Sequence, residues 1–282
     1  MRLPIYPPFI QFEATTACNS ACIICPNSAI KDRGRPLVMP AELIGKLLED
    51  MADHAEAVHT VIPLLHGEPL LYPGLYTLLE DITQAVGTHK TELVTNASLL
   101  DPAASEMLVL ALEMGRLRKI VFSCDGLESF ELVRVGLSQD KVYGNILDFV
   151  GLLSEDMRTR IRVDMTVCKT NKGDLEEFAK FWDNLGITWN FAPCDGRFNR
   201  GESLSHPSPL PCRVLWESVY IHSDGGFVKC CVDWRGTAAV GDLNRQTVSE
   251  VWNGEVYGMV RNYHIRLQKN LLRVCETCDT SM

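Results

Sequence analysis

The run Glu13-Ala-Thr-Thr-Ala-Cys18-Asn-Ser-Ala-Cys22-Ile-Ile-Cys25-Pro-Asn-Ser28 sets three cysteines at a C-x3-C-x2-C spacing, directly after the strand-like Phe9-Ile10-Gln11-Phe12. Three thiolates this close can grip three corners of a cubane iron–sulfur cluster and no more, which leaves the fourth iron open to another ligand. A structural zinc ion is the competing occupant. Zinc normally closes its shell with four ligands, often as two C-x2-C knuckles, and no fourth Cys or His lies close to Cys25.

An open iron suits S-adenosylmethionine (SAM, AdoMet), which can chelate it through its amine and carboxylate, accept one electron and split to a 5'-deoxyadenosyl radical. With the strand in front of it, the motif resembles that of the radical SAM superfamily. The resemblance implies a [4Fe-4S] cluster on Cys18, Cys22 and Cys25, with SAM bound beside it. Ile24 stands where the family often has an aromatic residue against the nucleoside.

Outward from the motif, short apolar runs alternate with longer amphipathic ones. Phe9 to Glu13 is followed by Ala41 to Met51, Val58 to Leu65 by Leu75 to Val86, and Glu92 to Val94 by Pro102 to Met114. Lys119 to Ser123, Lys141 to Leu153, Arg160 to Val167, Asp174 to Leu185 and Ile187 to Phe191 continue the rhythm. Such alternation predicts an α/β fold of parallel strands with helical crossovers. Six units make an open partial (β/α)6 barrel whose last helix is absent or displaced, with sites at the carboxyl ends of the strands.

Those ends carry polar groups. After the second strand, His66-Gly67-Glu68-Pro69 looks like the family's G-G-E-P motif, which implies that backbone groups and the acid hold the methionyl amine of SAM. His66 replaces the first glycine. Asn96 follows the third strand, and Ser123 and Asp125 the fourth, at positions where relatives contact SAM or substrate. Each alone also reads as a strand-to-loop cap; their placement on successive strand ends favours the site.

The composition is that of an ordinary globular chain: 282 residues, 46% hydrophobic and 22% charged, enough to bury a full core. No run of about 18 apolar residues exists for a membrane span, and the start lacks the pattern of a signal peptide, so a cytoplasmic protein without a membrane partner is expected. In a reducing compartment, eleven cysteines read as metal ligands, reactive thiols or small core residues rather than disulfides. A net charge of -9 argues against a nucleic-acid partner.

The pattern changes near Phe198, which predicts a barrel over 1–198 and a second region over 199–282. Ser218 to His222 and Phe227 to Cys231 read as a hairpin around Ser-Asp-Gly-Gly, and a helix is expected from Val248 to about Asn262. Cys212, Cys230, Cys275 and Cys278 make four thiolates, a set that zinc would also accept. Behind a radical SAM barrel the arrangement resembles the twitch domain, the shortened relative of the SPASM domain, which implies one auxiliary [4Fe-4S] cluster.

Cys124, Cys168, Cys194 and Cys231 remain. Cys124 and Cys168 read as core residues, and Cys194 follows the sixth strand at a substrate-facing level. Strand alternation turns Cys231 away from Cys230, toward the barrel mouth if Cys230 is the cluster ligand; the reverse assignment and a packed Cys231 stay open. Twitch-type radical epimerases have a hydrogen-donating cysteine in the auxiliary domain, whereas twitch dehydrogenases pass an electron to the auxiliary cluster. The resemblance therefore implies an enzyme acting on a carbon centre of a peptide or amino-sugar natural product, served by a reductant such as flavodoxin or ferredoxin. Epimerisation with Cys231 (or Cys194) as donor comes first and oxidation of an aminosugar or aminocyclitol alcohol second. A zinc-stapled α/β binding module is the non-enzymatic alternative. No winged-helix-like N-terminal segment for leader-peptide capture is visible.

Overall fold

The computed structural model describes residues 3–27, 37–195, 208, 210–276 and 278. Among these, strands β1 (Phe9–Phe12), β2 (Thr60–Ile62), β3 (Glu92–Thr95), β4 (Lys119–Ser123), β5 (Ile161–Val167) and β6 (Thr188–Pro193) lie side by side in chain order, every pairing parallel. The weak joint is between β2 and β3, an isolated bridge of Val61 to Thr91. Helices α1 (Ala41–Asp53), α2 (Leu75–Val86), α3 (Pro102–Glu113), α4 (Phe130–Val133), α5 (Gln139–Gly151), α6 (Glu155–Arg158) and α7 (Leu175–Asn184) fall between these strands. This is an α/β fold built on parallel strands with helical crossovers, as the alternation predicts.

Local chemistry accounts for the helices. In α1, Leu43, Ile44, Leu47 and Met51 recur at helical spacing and are buried. In α3, Pro102 occupies the first turn and the Asp101 carboxylate accepts from Ala104 N at 2.8 Å.

The C-terminal region differs from expectation in four ways. Its first strand, β7 (Ser218–Ile221), pairs in parallel with β1, Phe12 facing Ile221, so the hairpin extends the barrel sheet in the order β2-β1-β7-β8-β9. β8 is only Gly226–Val228, so Cys230 and Cys231 lie beyond it in a bend and a turn, and strand alternation does not set their directions. A third strand, β9 (Ala239–Asp242), was not expected; Gly and Asp are poor strand formers, so AVGD carries little signal.

The expected helix is also split, into α8 (Val248–Asn253) and α9 (Glu255–Ile265). Gly254 sits between them in an extended conformation (φ -70°, ψ 160°), which no continuous helix accommodates. Arg261 on α9 locks the pair, its guanidinium 4.1 Å from the Trp252 ring centre and donating to Trp252 O and Leu215 O.

Burial ties the regions together. Ile10 and Phe12 of β1 share one apolar cluster with Val219, Ile221, Phe227, Trp252 and Tyr257. The expected boundary at 198/199 lies outside the described residues. No helix among the described residues is long and apolar enough to cross a membrane.

Candidate radical cluster and SAM site

The segment after β1 carries the three N-terminal cysteines and is held from three sides. Thr15 Oγ1 donates to Leu37 O at 2.8 Å, Glu68 N donates to Ala17 O at 2.8 Å, and Ala21 N and Ile23 N donate to Val135 O and Val133 O. Gly67 shows why a glycine is needed there: a Cβ on it would lie 2.3 Å from Thr15 O and 3.1 Å from Ala17 O. The close approach thus falls on the second residue of the H-G-E-P run, and His66 in the first place costs it nothing.

Cys18, Cys22 and Cys25 line one pocket with Gly67, Glu68, Asn96, Ser123 and Arg134. Burial pushes the Cys18 thiol up and the Cys25 thiol to about 12. Without an electrophile these stay protonated, so metal uptake must release protons. Three thiols around one pocket beside a carboxylate, with the missing Cβ of Gly67 leaving the loops in contact, fit a cubane cluster with one open iron.

Glu68 is 1% exposed. Its Oε1 accepts from Thr95 Oγ1 (2.6 Å) and Leu70 N (3.1 Å), and its Oε2 from Asn96 N (2.8 Å). A carboxylate offers about four lone-pair sites, so about one is left for a cationic amine. Burial raises its pKa while these donors oppose the rise. Asn96 reaches back to the cluster loop, donating to Asn19 Oδ1 at 3.0 Å.

Three predicted binding residues sit elsewhere. His66 turns to Glu13, Nδ1 to Oε1 2.8 Å, rather than into the pocket. Pro69 opens a short 3-10 turn capped by Glu68. Asp125 is fully buried, pairs with Arg134 at 2.5 Å and accepts from Thr166 N at 2.6 Å.

Arg134, a charge lining the same pocket, is not among the residues expected from the sequence. It follows α4 and reaches within 3.7 Å of Cys22 Sγ. Burial opposes its charge, but Asp125, Cys22 and Cys124 around it hold the guanidinium above its ordinary value. A lone Arg in an apolar stretch, FELVRVG, was its only signal. Asp125→Ala strands this cation, and removing one partner of a buried pair costs about 3–5 kcal/mol. Urea denaturation should show a loss of that size, and a loss under about 1 kcal/mol would mean Arg134 is solvated by other means.

The tail thiols approach one another. Burial pushes the Cys212 thiol to about 11, and Cys230 and Cys278 beside it add to the rise. Lys229 Nζ donates to Arg273 O at 2.7 Å, tying the Cys230 turn to the segment before Cys275, and Cys278 N donates to Cys275 O at 3.1 Å. Cys212 N donates to His264 Nδ1 at 3.1 Å. Cys231 packs with Cys212 and Leu65 against Val214, Tyr220 and Val228. Cys194 is 1% exposed and packs with Cys168 against Cys22 and Ile24, behind the cluster loop. Cys124 is fully buried.

The model of the radical SAM superfamily matches residues 12–182, and that of SPASM, an iron-sulfur cluster-binding domain, matches 212–279. A GTP 3',8-cyclase of Peptoclostridium acidaminophilum is 27% identical over 175 residues; the match takes in 60% of this chain and 50% of the cyclase, so the chain spans about half the length of that curated relative.

Three solved structures share the fold. BtrN in complex with AdoMet and 2-DOIA superposes at a TM-score of 0.71 and 17% identity, covering 97% of this chain and 93% of BtrN. Streptococcus suis SuiB bound to precursor peptide SuiA gives 0.71 and 17%, covering 98% and 70%. Native anSMEcpe with bound AdoMet gives 0.68 and 14%, covering 96% and 88%.

Proposed function

The chain belongs to the radical SAM superfamily and carries a C-terminal SPASM iron–sulfur domain, and from that premise we propose that it inverts a carbon centre of a peptide or amino-sugar natural product, with Cys231 as hydrogen donor. Its cofactors are SAM and two iron–sulfur clusters. Cys18, Cys22 and Cys25 would hold the radical cluster, and Cys212, Cys230, Cys275 and Cys278 the auxiliary one. With SAM bound, the first of these supplies a 5'-deoxyadenosyl radical.

The protein's own groups set the rest. Gly67 and Glu68 offer the SAM amine a backbone approach and a partly satisfied carboxylate, and Asn96 and Ser123 border the same pocket. Cys231 would give its S–H hydrogen to the flattened substrate carbon from the face opposite the first abstraction. Its sulfur then needs one electron and one proton, which a reductant such as flavodoxin or ferredoxin supplies in the cytoplasm.

The observation that carries this reading is the place of Cys231, half-buried against Leu65, directly ahead of the H-G-E-P run, while Cys124, Cys168 and Cys194 are buried. A peptide substrate is favoured by SuiB, solved with a precursor peptide, and a small-molecule substrate by BtrN, solved with 2-DOIA. A second reading, oxidation of an alcohol with the auxiliary cluster as electron acceptor, draws on Cys212, which packs in the same cluster with Leu65.

Turnover in heavy water separates the two. An S–H exchanges with solvent, so the wild type should place one deuterium on the inverted carbon. Cys231→Ala should keep both clusters and still form 5'-deoxyadenosine, yet give no inverted product; Cys194→Ala is the control. A carbonyl product two hydrogens lighter, or full activity in Cys231→Ala, would transfer the assignment to oxidation.

A further inference from the structure

Three adjacent strands, β2, β1 and β7, bring three side chains together just past their carboxyl ends: His66, Glu13 and His222. One ligand atom of each lies within 4.8 Å of the other two. All are buried, at 0% exposure for Glu13, 5% for His66 and 2% for His222. The positions follow from register: Phe12 faces Ile221, and Glu13 N donates to Ile221 O at 2.9 Å, which sets Glu13 across from His222.

The orientation is that of a supported ligand set. Ser223 N donates to Glu13 Oε2 at 3.0 Å, which fixes the carboxylate, while Oε1 faces His66 Nδ1 at 2.8 Å. The two imidazole rings are 6.0 Å apart between centres. A buried anion needs a buried cation. One proton would suffice for neutrality, and one histidine to carry it. A carboxylate with two histidines is instead the N2O donor set that zinc and its first-row neighbours take.

We propose that Glu13, His66 and His222 bind one divalent zinc-class ion, separate from both clusters, which pins the auxiliary hairpin to the barrel beside the SAM-binding loop. The ion would replace the proton between Glu13 and His66, moving two ligand atoms now at hydrogen-bond distance apart by a few tenths of an ångström. The inference holds whichever reaction the enzyme performs.

The test uses the anaerobically reconstituted holoenzyme, incubated with one equivalent of zinc, desalted and analysed for metals. The expected result is about one zinc beside about eight irons per chain. His222→Gln should lose the zinc and keep the iron; if it fails to fold, Glu13→Gln carries the comparison. Zinc X-ray absorption of the wild type needs neither variant and should show only nitrogen and oxygen neighbours near 2.0–2.1 Å. Absence of zinc from the wild type, zinc unchanged in the variants, or sulfur neighbours at about 2.3 Å, which would put the ion on cluster cysteines, overturns the proposal.

Discussion

Alanine at Cys18, Cys22 and Cys25 together is expected to abolish 5'-deoxyadenosine formation from SAM and dithionite while leaving about four of about eight irons per chain. Each thiolate is one corner of the cluster, and Ala supplies no ligand. The surrounding shell should survive, because the loop is held by backbone bonds to Leu37, Val133, Val135 and Glu68 rather than by the thiols. Iron and sulfide analysis of the anaerobic variant reads both halves of the expectation. Residual SAM cleavage would refute the assignment of the radical cluster, and zinc instead of iron on Cys212, Cys230, Cys275 and Cys278 would refute the auxiliary one alone.

Gly67→Ala should be nearly as damaging without touching a ligand. The added Cβ meets Thr15 O and Ala17 O, backbone atoms of the cluster loop that cannot swing aside as a flexible side chain would. Overpacking of this kind costs about 1–3 kcal/mol. A displacement of about 1 Å at a reacting centre costs about 100-fold in rate, so SAM cleavage should fall by roughly that factor with iron content retained. Gly45→Ala is the contrast: Gly45 lies within α1 with nothing inside 4 Å, so the same change should stabilise by roughly 0.5–1 kcal/mol. Equal behaviour of the two variants, in thermal denaturation and SAM cleavage, would show that the contact at Thr15 does not hold the loop.

The barrel was legible because its signals are local. A period of alternation needs only neighbouring residues to declare a strand or a helix, and the C-x3-C-x2-C run needs only eight positions to declare its donor set. Less was legible at the site. Gly67 could be seen as a motif glycine, but the carbonyl it makes room for lies 52 residues earlier in the chain, at Thr15. Arg134 carried almost no signal, since a cation becomes informative only when folding puts Asp125 and Cys22 around it. The direction of Cys231 could not be set by alternation, because β8 ends at Val228 and the chain turns before it reaches the cysteines.

The sequence by itself determined the donor atoms, the order of strands and helices, and the class of cofactor those donors suit. Only the tertiary structure decided that β7 joins β1 in parallel, that Asp125 serves Arg134 rather than the pocket, and that His66 meets Glu13 and His222. The physical reason is one of range: propensity and spacing act over a few residues, whereas the partner of a buried charge is whatever strand register brings within about 3 Å of it.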